Sequence, residues 1–397
     1  MSIKRVFTMN PKLEIFSQGD EVVTGQIVDS NAAWLAQQAV QMGFTVTRHT
    51  AVGDSLEALC ALLAEIAERA DCCICTGGLG PTSDDLTAEA VAKAFNLSLI
   101  LDEQALAQIE QFFAYRQRAM PASNRKQALL PQGSERLDNE YGTAPGFSLQ
   151  LGRCWFVFMP GVPSEMKLMY SNKVQPYLAQ RFSLKPGSLI TLRTLGIGES
   201  AIQEHINNVT IPENVQLGFR AELGEVQTKL LFPFAYSESE KADLVNQIAK
   251  RLGDTVFAID HTREVNSNLI SVLDALMTQG QYTLAVIETI SCGLLSSLCV
   301  EADWLVESCY QPALMTSEPS GLPAVAEQLQ KSTGATFALV QLYAGDKQGV
   351  IILHNGLLTP QGFYSNTQTV AGTVKRKQHQ AALSALDLLR RYLQQKL

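Results

Sequence analysis

Between residues 77 and 87 the chain reads Gly77-Gly78-Leu79-Gly80-Pro81-Thr82-Ser83-Asp84-Asp85-Leu86-Thr87. Three glycines close together let backbone N–H groups approach a phosphate unobstructed, and a helix N-terminus beyond them adds a favourable field. The pattern is neither G-x-G-x-x-G nor the Walker loop, because no lysine follows the last glycine. Asp84 and Asp85 would repel a bare phosphate. They suit one bridged by a divalent cation, Mg2+ or a transition metal such as Co2+. The structural alternative is that Asp84 merely favours a helix N-terminus.

Two further acidic loops share this chemistry. Gly19-Asp20-Glu21 follows a first strand-like run and Asp54 follows a second. If the loops converge, Asp84 and Asp85 would hold metal while Asp54 or Glu21 orients water for attack on a phosphoanhydride. Asp54, Asp85 and Glu21 are therefore the candidate catalytic residues, and Gly77, Gly78 and Gly80 the phosphate-binding backbone. Lys126 could neutralise a second phosphate, although a lone lysine is more often a surface residue. Asn124, Gln127, Asn139 and Thr143 are further polar candidates.

Positioning these loops requires an alternating fold. Leu13 to Phe16 reads as a strand, Gly19 to Gly25 as a loop, and Asn31 to Met42 as a helix capped by Asp29 or Ser30 and stopped by Gly43. Phe44 to Arg48 is a second strand. A helix capped by Asp54 or Ser55 runs to about Ala70, and Cys72 to Cys75 is a buried third strand. Such alternation implies a mostly parallel sheet covered on both faces, with ligands at the carboxyl ends of the strands. The loops at Gly19, Asp54 and Gly77 all fall there. Cys154 to Met159 adds a strand, and a helix spans about 164–182. Strands at 189–196, 215–220 and 228–232 with a helix at 238–252 suggest a small α+β domain. His261 to Asn268 reads as a linker to a third unit that ends in a helix at about 377–395.

Composition bounds the rest. The net charge of −8 argues against a general nucleic-acid binder, which needs surplus Lys and Arg. No apolar run reaches the length of a membrane span, and Met1 to Asn10 lacks the apolar core of a secretory signal. Met9 is an alternative start. The eight cysteines form no disulfide framework. Cys72 and Cys75 make C-x-x-C, but strand residues three apart face opposite ways and cannot chelate one metal. Reduced cysteines in a cytoplasmic protein are the simpler reading.

Several motifs together resemble the CinA family. They are Gln18-Gly19-Asp20-Glu21, the Gly77 to Asp85 loop with Thr87, Asn124-x-Lys126-Gln127, Asn139-x-x-Gly142-Thr143-Ala144-Pro145-Gly146 and Pro160-Gly161-Val162-Pro163-x-Glu165. The resemblance implies an α/β architecture in three parts: a molybdopterin-binding-like parallel-sheet sandwich over 12–178, a small KH-like α+β domain over 179–262, and a C-terminal α/β CinA domain over 266–397. It also implies a nucleotide pocket reaching Gly19, Thr82, Asn124, Lys126, Thr143, Pro160 and Gly161, and a homodimer. The activity it implies is metal-dependent cleavage of ADP-ribose to AMP and ribose 5-phosphate. The alternatives are a non-catalytic nucleotide- or molybdopterin-binding protein, and a nicotinamide mononucleotide deamidase in the C-terminal domain.

That last domain departs from the family motif Ala-Glu-Ser-Cys-Thr-Gly-Gly. Here Ile287-Glu288-Thr289-Ile290-Ser291-Cys292-Gly293 keeps Glu288 and Gly293, while Thr289 replaces the serine. A β-branched threonine is a stiffer nucleophile. No Tyr-Ser-Asn-x-x-Lys stretch occurs between Cys299 and Pro323, and Val340 to Asp346 reads as a reduced loop. His354 and His379 are lone histidines. The expectation is a degenerate amidase.

Overall fold

The computed structural model describes residues 10–262, 265–312, 319–345 and 350–396. The chain forms two compact units, Met1–Gly187 and Ser188–Leu397. The alternative start at Met9 and residues 1–8 ahead of it lie outside the described residues.

The first unit alternates as its apolar periods require: β1 (Lys12–Gln18), α1 (Asp20–Val23), α2 (Ser30–Met42), β2 (Thr45–Val52), α3 (Leu56–Arg69), β3 (Cys72–Thr76) and α4 (Thr87–Ala94). A short hairpin-like pair follows, β4 (Leu99–Leu101) and β5 (Leu129–Pro131), with α5 (Glu103–Tyr115) between them. Then come β6 (Glu135–Leu137), β7 (Gly146–Leu151), β8 (Cys154–Met159), α6 (Pro163–Met169) and α7 (Gln175–Arg181). The sheet runs β2-β1-β3-β8-β7-β6. Its first four strands are parallel, and β7 and β6 close it antiparallel. Leu59, Leu63 and Ile66 of α3 cover one face with Cys73 and Cys75. Leu35, Met166 and Leu178 cover the other with Cys72 and Ile74. Cys72 and Cys75 thus point to opposite faces, and all eight cysteines are free.

Local signals account for the ends of these helices. Asp29 accepts from Ala32 N at the start of α2, and Gly43 ends it at φ 104°. At α3 the cap is Ser55, which accepts from Ala58 N and so leaves Asp54 free for other partners. One expectation fails: the segment from Gly19 to Gly25 is not all loop. Asp20–Val23 makes a turn of helix, stabilised by two acids in its first turn and by the Thr24 hydroxyl returning to Asp20 O.

In the second unit β9 (Ser188–Leu195), α8 (Glu199–Ile206), β10 (Gln216–Ala221), β11 (Glu225–Phe232), α9 (Glu238–Leu252) and β12 (Val256–Asp260) build an antiparallel sheet of order β10-β11-β9-β12. Ile202, Ile206, Val245 and Ile248 pack its two helices on it. The chain continues with α10 (Leu269–Gly280), β13 (Leu284–Glu288), α11 (Leu294–Leu298), β14 (Leu305–Tyr310), α12 (Leu322–Thr333), β15 (Phe337–Gly345), β16 (Ile351–Thr359), β17 (Gly362–Val370) and α13 (Val374–Leu393). This sheet has the order β14-β13-β15-β16-β17, parallel across its first three strands. Most of the expected loop at Val340 to Asp346 is strand, because Val340 and Leu342 alternate into the core; Asp346 lies outside the described residues.

Leu195 and Phe257 of the four-stranded sheet share one core with Leu273, Leu386 and Leu389 of the segment that follows it. The fully buried Arg390 strengthens this joint. Its guanidinium donates to Asp254 O at 2.8 Å and to Asp387 Oδ1, and Arg391 pairs with Asp254. Among the described residues no helix is long and apolar enough to cross a membrane.

Candidate functional site

The carboxyl ends of β1, β2, β3 and β8 deliver their loops to one pocket of about 400 Å³. Gln18, Gly19 and Glu21 arrive after β1, and Asp54 after β2. The Gly77 loop supplies Gly77, Gly78, Gly80, Asp84 and Asp85, and β8 leads into Pro160 and Gly161. Gln127, Thr143 and Glu165 complete the lining.

Hydrogen bonds lock the acids in place. Asp54 Oδ1 accepts from Gln18 Nε2 at 2.8 Å and Oδ2 from Asp20 N at 3.2 Å, while Asp20 Oδ1 accepts from Asp54 N at 3.1 Å. The two β-strand ends are thereby joined reciprocally. Asp85 Oδ2 accepts from both the amide (2.8 Å) and the hydroxyl (2.5 Å) of Thr82. Thr82 and its own backbone N–H hold the Asp84 carboxyl below the ordinary aspartate range, with Lys126 adding a smaller pull. Gly77 must be glycine: its φ is +96°, and a Cβ there would lie 2.4 Å from Gln18 O.

Of the residues expected here, Glu21, Asp54, Asp84, Asp85, Gly19, Gly77, Gly78, Gly80, Thr143, Pro160 and Gly161 all line the pocket. Thr82, Asn124 and Lys126 stand behind the lining. Lys126 Nζ donates to Thr82 O at 2.8 Å, and the buried Asn124 donates to Gln127 Oε1 at 2.8 Å. Sequence reasoning did not assign Gln18 or Glu165 to the site. Glu165 accepts from Asn139 Nδ2 at 2.7 Å, which seats it against the Gly142 turn. Only the motif contexts of these two residues hinted at a role. Among the described residues no group of three or more His, Cys, Asp or Glu side chains converges as a metal cage. Asp84 and Asp85 could supply two ligands, leaving the remainder to ligand oxygens or water.

The amidase-like segment sits at the carboxyl end of β13. Glu288 is fully buried and accepts from Ser291 Oγ (2.6 Å), Ser296 Oγ (2.5 Å), Leu295 N (3.2 Å) and Ser296 N (3.3 Å). Ser291 also meets Gln341 Oε1 at 3.1 Å and is 0% exposed. Thr289 is 1% exposed and its hydroxyl has no hydrogen-bond partner. Cys292, at φ 54° before Gly293 at φ 82°, is exposed. His354 is buried against Thr367 Oγ1 (2.9 Å), and burial pushes its pKa down; His379 is half-buried on α13.

Residues 14–180 match the family described as "Probable molybdopterin binding domain", and residues 190–258 match the "Damage-inducible protein CinA KH domain". A CinA-like protein of Escherichia coli O17:K52:H18 is 35% identical over 96% of this chain and 94% of its own length. A protein of Escherichia coli K12, named NMN amidohydrolase-like protein YfaY, matches at the same identity and coverage. A solved CinA protein of unknown function from Thermoplasma acidophilum is 31% identical, covering 43% of this chain and 99% of its own, with a TM-score of 0.40. These relatives correct the expected activity. Cleavage of ADP-ribose finds no support among them, and the name of the K12 relative points instead to the nicotinamide-nucleotide amidases. The acidic loops suggested a phosphoanhydride because carboxylates beside a glycine loop read as metal and phosphate, and nothing in that pattern specifies the bond that breaks. With the two domain families in order and a 35% identity across nearly its full length, the chain belongs to the CinA-like protein family.

Proposed function

We propose that this chain is an enzyme acting on a nicotinamide nucleotide, with the pocket of the first unit as a ligand site. The observation that carries the ligand class is charge. Glu21, Asp54, Asp84, Asp85 and Glu165 line the pocket, and no Lys, Arg or His is among the lining residues. Two like charges 4 Å apart repel by roughly 1 kcal/mol in water and about 4 kcal/mol near a protein surface. A group bringing positive charge of its own would relieve that repulsion. The pyridinium ring of a nicotinamide nucleotide carries such a charge at every pH, and without a cation its phosphate would have to point away from Asp84 and Asp85. The name of the K12 relative supports the same class.

A divalent cation is a second source of positive charge. Asp84 and Asp85 would hold it and it would neutralise a ligand phosphate; no step of the reading depends on it. Assembly as a cytoplasmic homodimer belongs to the same proposal and is checked by light scattering.

The test is calorimetric titration of nicotinamide mononucleotide with Mg2+ and with chelator, beside an assay for released ammonia. Binding that survives chelation and is lost in Asp85→Asn supports the pyridinium reading; binding that needs Mg2+ assigns the charge to the metal. Ammonia release lost in Asp85→Asn places the reaction in the pocket. Release lost in Cys292→Ala places it at the turn after β13, where Cys292 carries an exposed thiol. No ammonia from the wild-type chain overturns the enzyme reading.

A further inference from the structure

We infer that Gln18 is the positioning residue of the first-unit pocket, its single amide setting Asp54 and the Gly77–Thr87 loop in place against each other. The inference rests on the pocket being a ligand site. Gln18 is the last residue of β1 and is 5% exposed. Its Nε2 donates to Asp54 Oδ1 at 2.8 Å and to the Asp84 carbonyl oxygen at 3.1 Å. Its Oε1 accepts from the Thr87 hydroxyl, which also lies 2.9 Å from Gly77 O. The amide orientation follows from these partners. A carboxylate and a carbonyl have no hydrogen to give, so a reversed amide would set oxygen against oxygen at two contacts.

The side chain thus spends both N–H groups and its carbonyl on three partners: Asp54 after β2, and Asp84 and Thr87 at two points of the Gly77–Thr87 loop. No other lining side chain is bonded to all three.

The glycines take on a different meaning in this light. A Cβ on Gly78 would lie 2.0 Å from Gln18 Oε1 and 2.4 Å from Thr87 Oγ1. A Cβ on Gly77 would lie 2.4 Å from the Gln18 backbone oxygen. Both glycines leave room for Gln18, and not only for a ligand. Losing the amide would free Asp54 to turn about its remaining bond to Asp20 N, and would let the Asp84–Asp85 corner drift. The charged side chain bonded to the amide is Asp54, itself bonded to Asp20, and Glu21, Asp84 and Asp85 line the same pocket. Glu165 is a further pocket carboxylate, and Lys126 is bonded behind the loop at Thr82 O.

Two variants test this. Gln18→Met keeps the length and removes the hydrogen bonds. Gln18→Glu can donate to Asp54 only when protonated. Hydrogen–deuterium exchange reads the loops without any ligand: in Gln18→Met, amides at 53–55 and at 78–87 should exchange at least tenfold faster together, with α2 and α3 unchanged. Nicotinamide mononucleotide affinity should fall tenfold or more in both variants at neutral pH. In Gln18→Glu the deficit should shrink as pH falls toward 5, a recovery that loss of packing alone would not produce. Wild-type exchange in both loops, or a Gln18→Glu deficit independent of pH, would overturn the role. If the wild-type chain does not bind the nucleotide, the ligand reading fails, and the exchange result still decides for or against Gln18.

Discussion

The loop after β3 and the turn after β13 occupy the same place in their sheets, the carboxyl end of a parallel strand where the chain swings into a helix, yet they use their polar groups in opposite ways. After β3, Asp84 and Asp85 stand over a 400 Å³ pocket. After β13, Glu288 turns inward and its two oxygens take four donors from the turn and from α11. In the first arrangement the carboxylates also accept hydrogen bonds, Asp85 from Thr82 among them, yet they line open space that a ligand can enter. The second consumes its charge in holding the backbone, and only the thiol of Cys292 remains exposed. Position in an α/β sheet nominates a site; whether its polar groups are already satisfied decides what the site can do.

The sharpest way to break this comparison is Glu288→Ala. It strands the backbone N–H groups of Leu295 and Ser296 and takes one partner from each of two serine hydroxyls, which keep Gln341 and Ser308, so unfolding in urea should show a loss on the order of 3 kcal/mol. A loss below about 1 kcal/mol would mean that the carboxylate is not structural. Next is Gly77→Ala, expected to cost roughly 2 kcal/mol or more because the positive φ and the Gln18 oxygen both oppose a Cβ. Gly293→Ala in the other turn has open space around it and should cost about 1 kcal/mol, from its φ alone.

Asp85→Asn inverts the pattern. Stability should stay within about 0.5 kcal/mol, the range of most surface changes, while nucleotide affinity drops at least tenfold. The pH profile sharpens the same point. The Asp84 carboxyl titrates below the ordinary aspartate value, so its charge is fully present above that value and is lost only as pH falls through the lowered one. Affinity for a ligand that turns a pyridinium toward this carboxylate should therefore persist to more acidic pH than a free aspartate (pKa about 3.9) would allow. Loss of binding near pH 6 would contradict it. The smallest effect is chemical. A thiol reagent at pH 8 should label Cys292 well before Cys299, whose thiol burial pushes up to about 12, as peptide mass spectrometry would read.

Much of the first unit was legible because its signals are local. Asp29, Gly43 and Ser55 mark helix ends by their own chemistry, and the glycine loop announces itself by composition. Convergence of the three acidic loops followed from strand–helix alternation alone. Gln18 and Glu165 were not assigned because their importance lies in partners far along the chain: Gln18 meets Asp54, Asp84 and Thr87, and Glu165 meets Asn139. Gln18 looks like the polar end of a strand until the loops carrying Asp54 and Asp84 are folded over it. The turn after β13 was readable as a departure from its motif, but the inward rotation of Glu288 was not, since the same residue pointing outward would spell an open acidic site. The nature of the reaction was least legible, because glycines and carboxylates describe a ligand's charge better than its scissile bond.

Arg390 has a consequence for how the second unit can be divided. A fully buried guanidinium at the end of α13 is bonded to the carbonyl of Asp254, just before β12, and the two sheets share one apolar core through Leu195 and Phe257. Melting of the KH-type sheet alone would break these contacts. Residues 188–397 should lose structure in a single cooperative transition, and a chain cut after β12 would expose Leu195 and Phe257 to water.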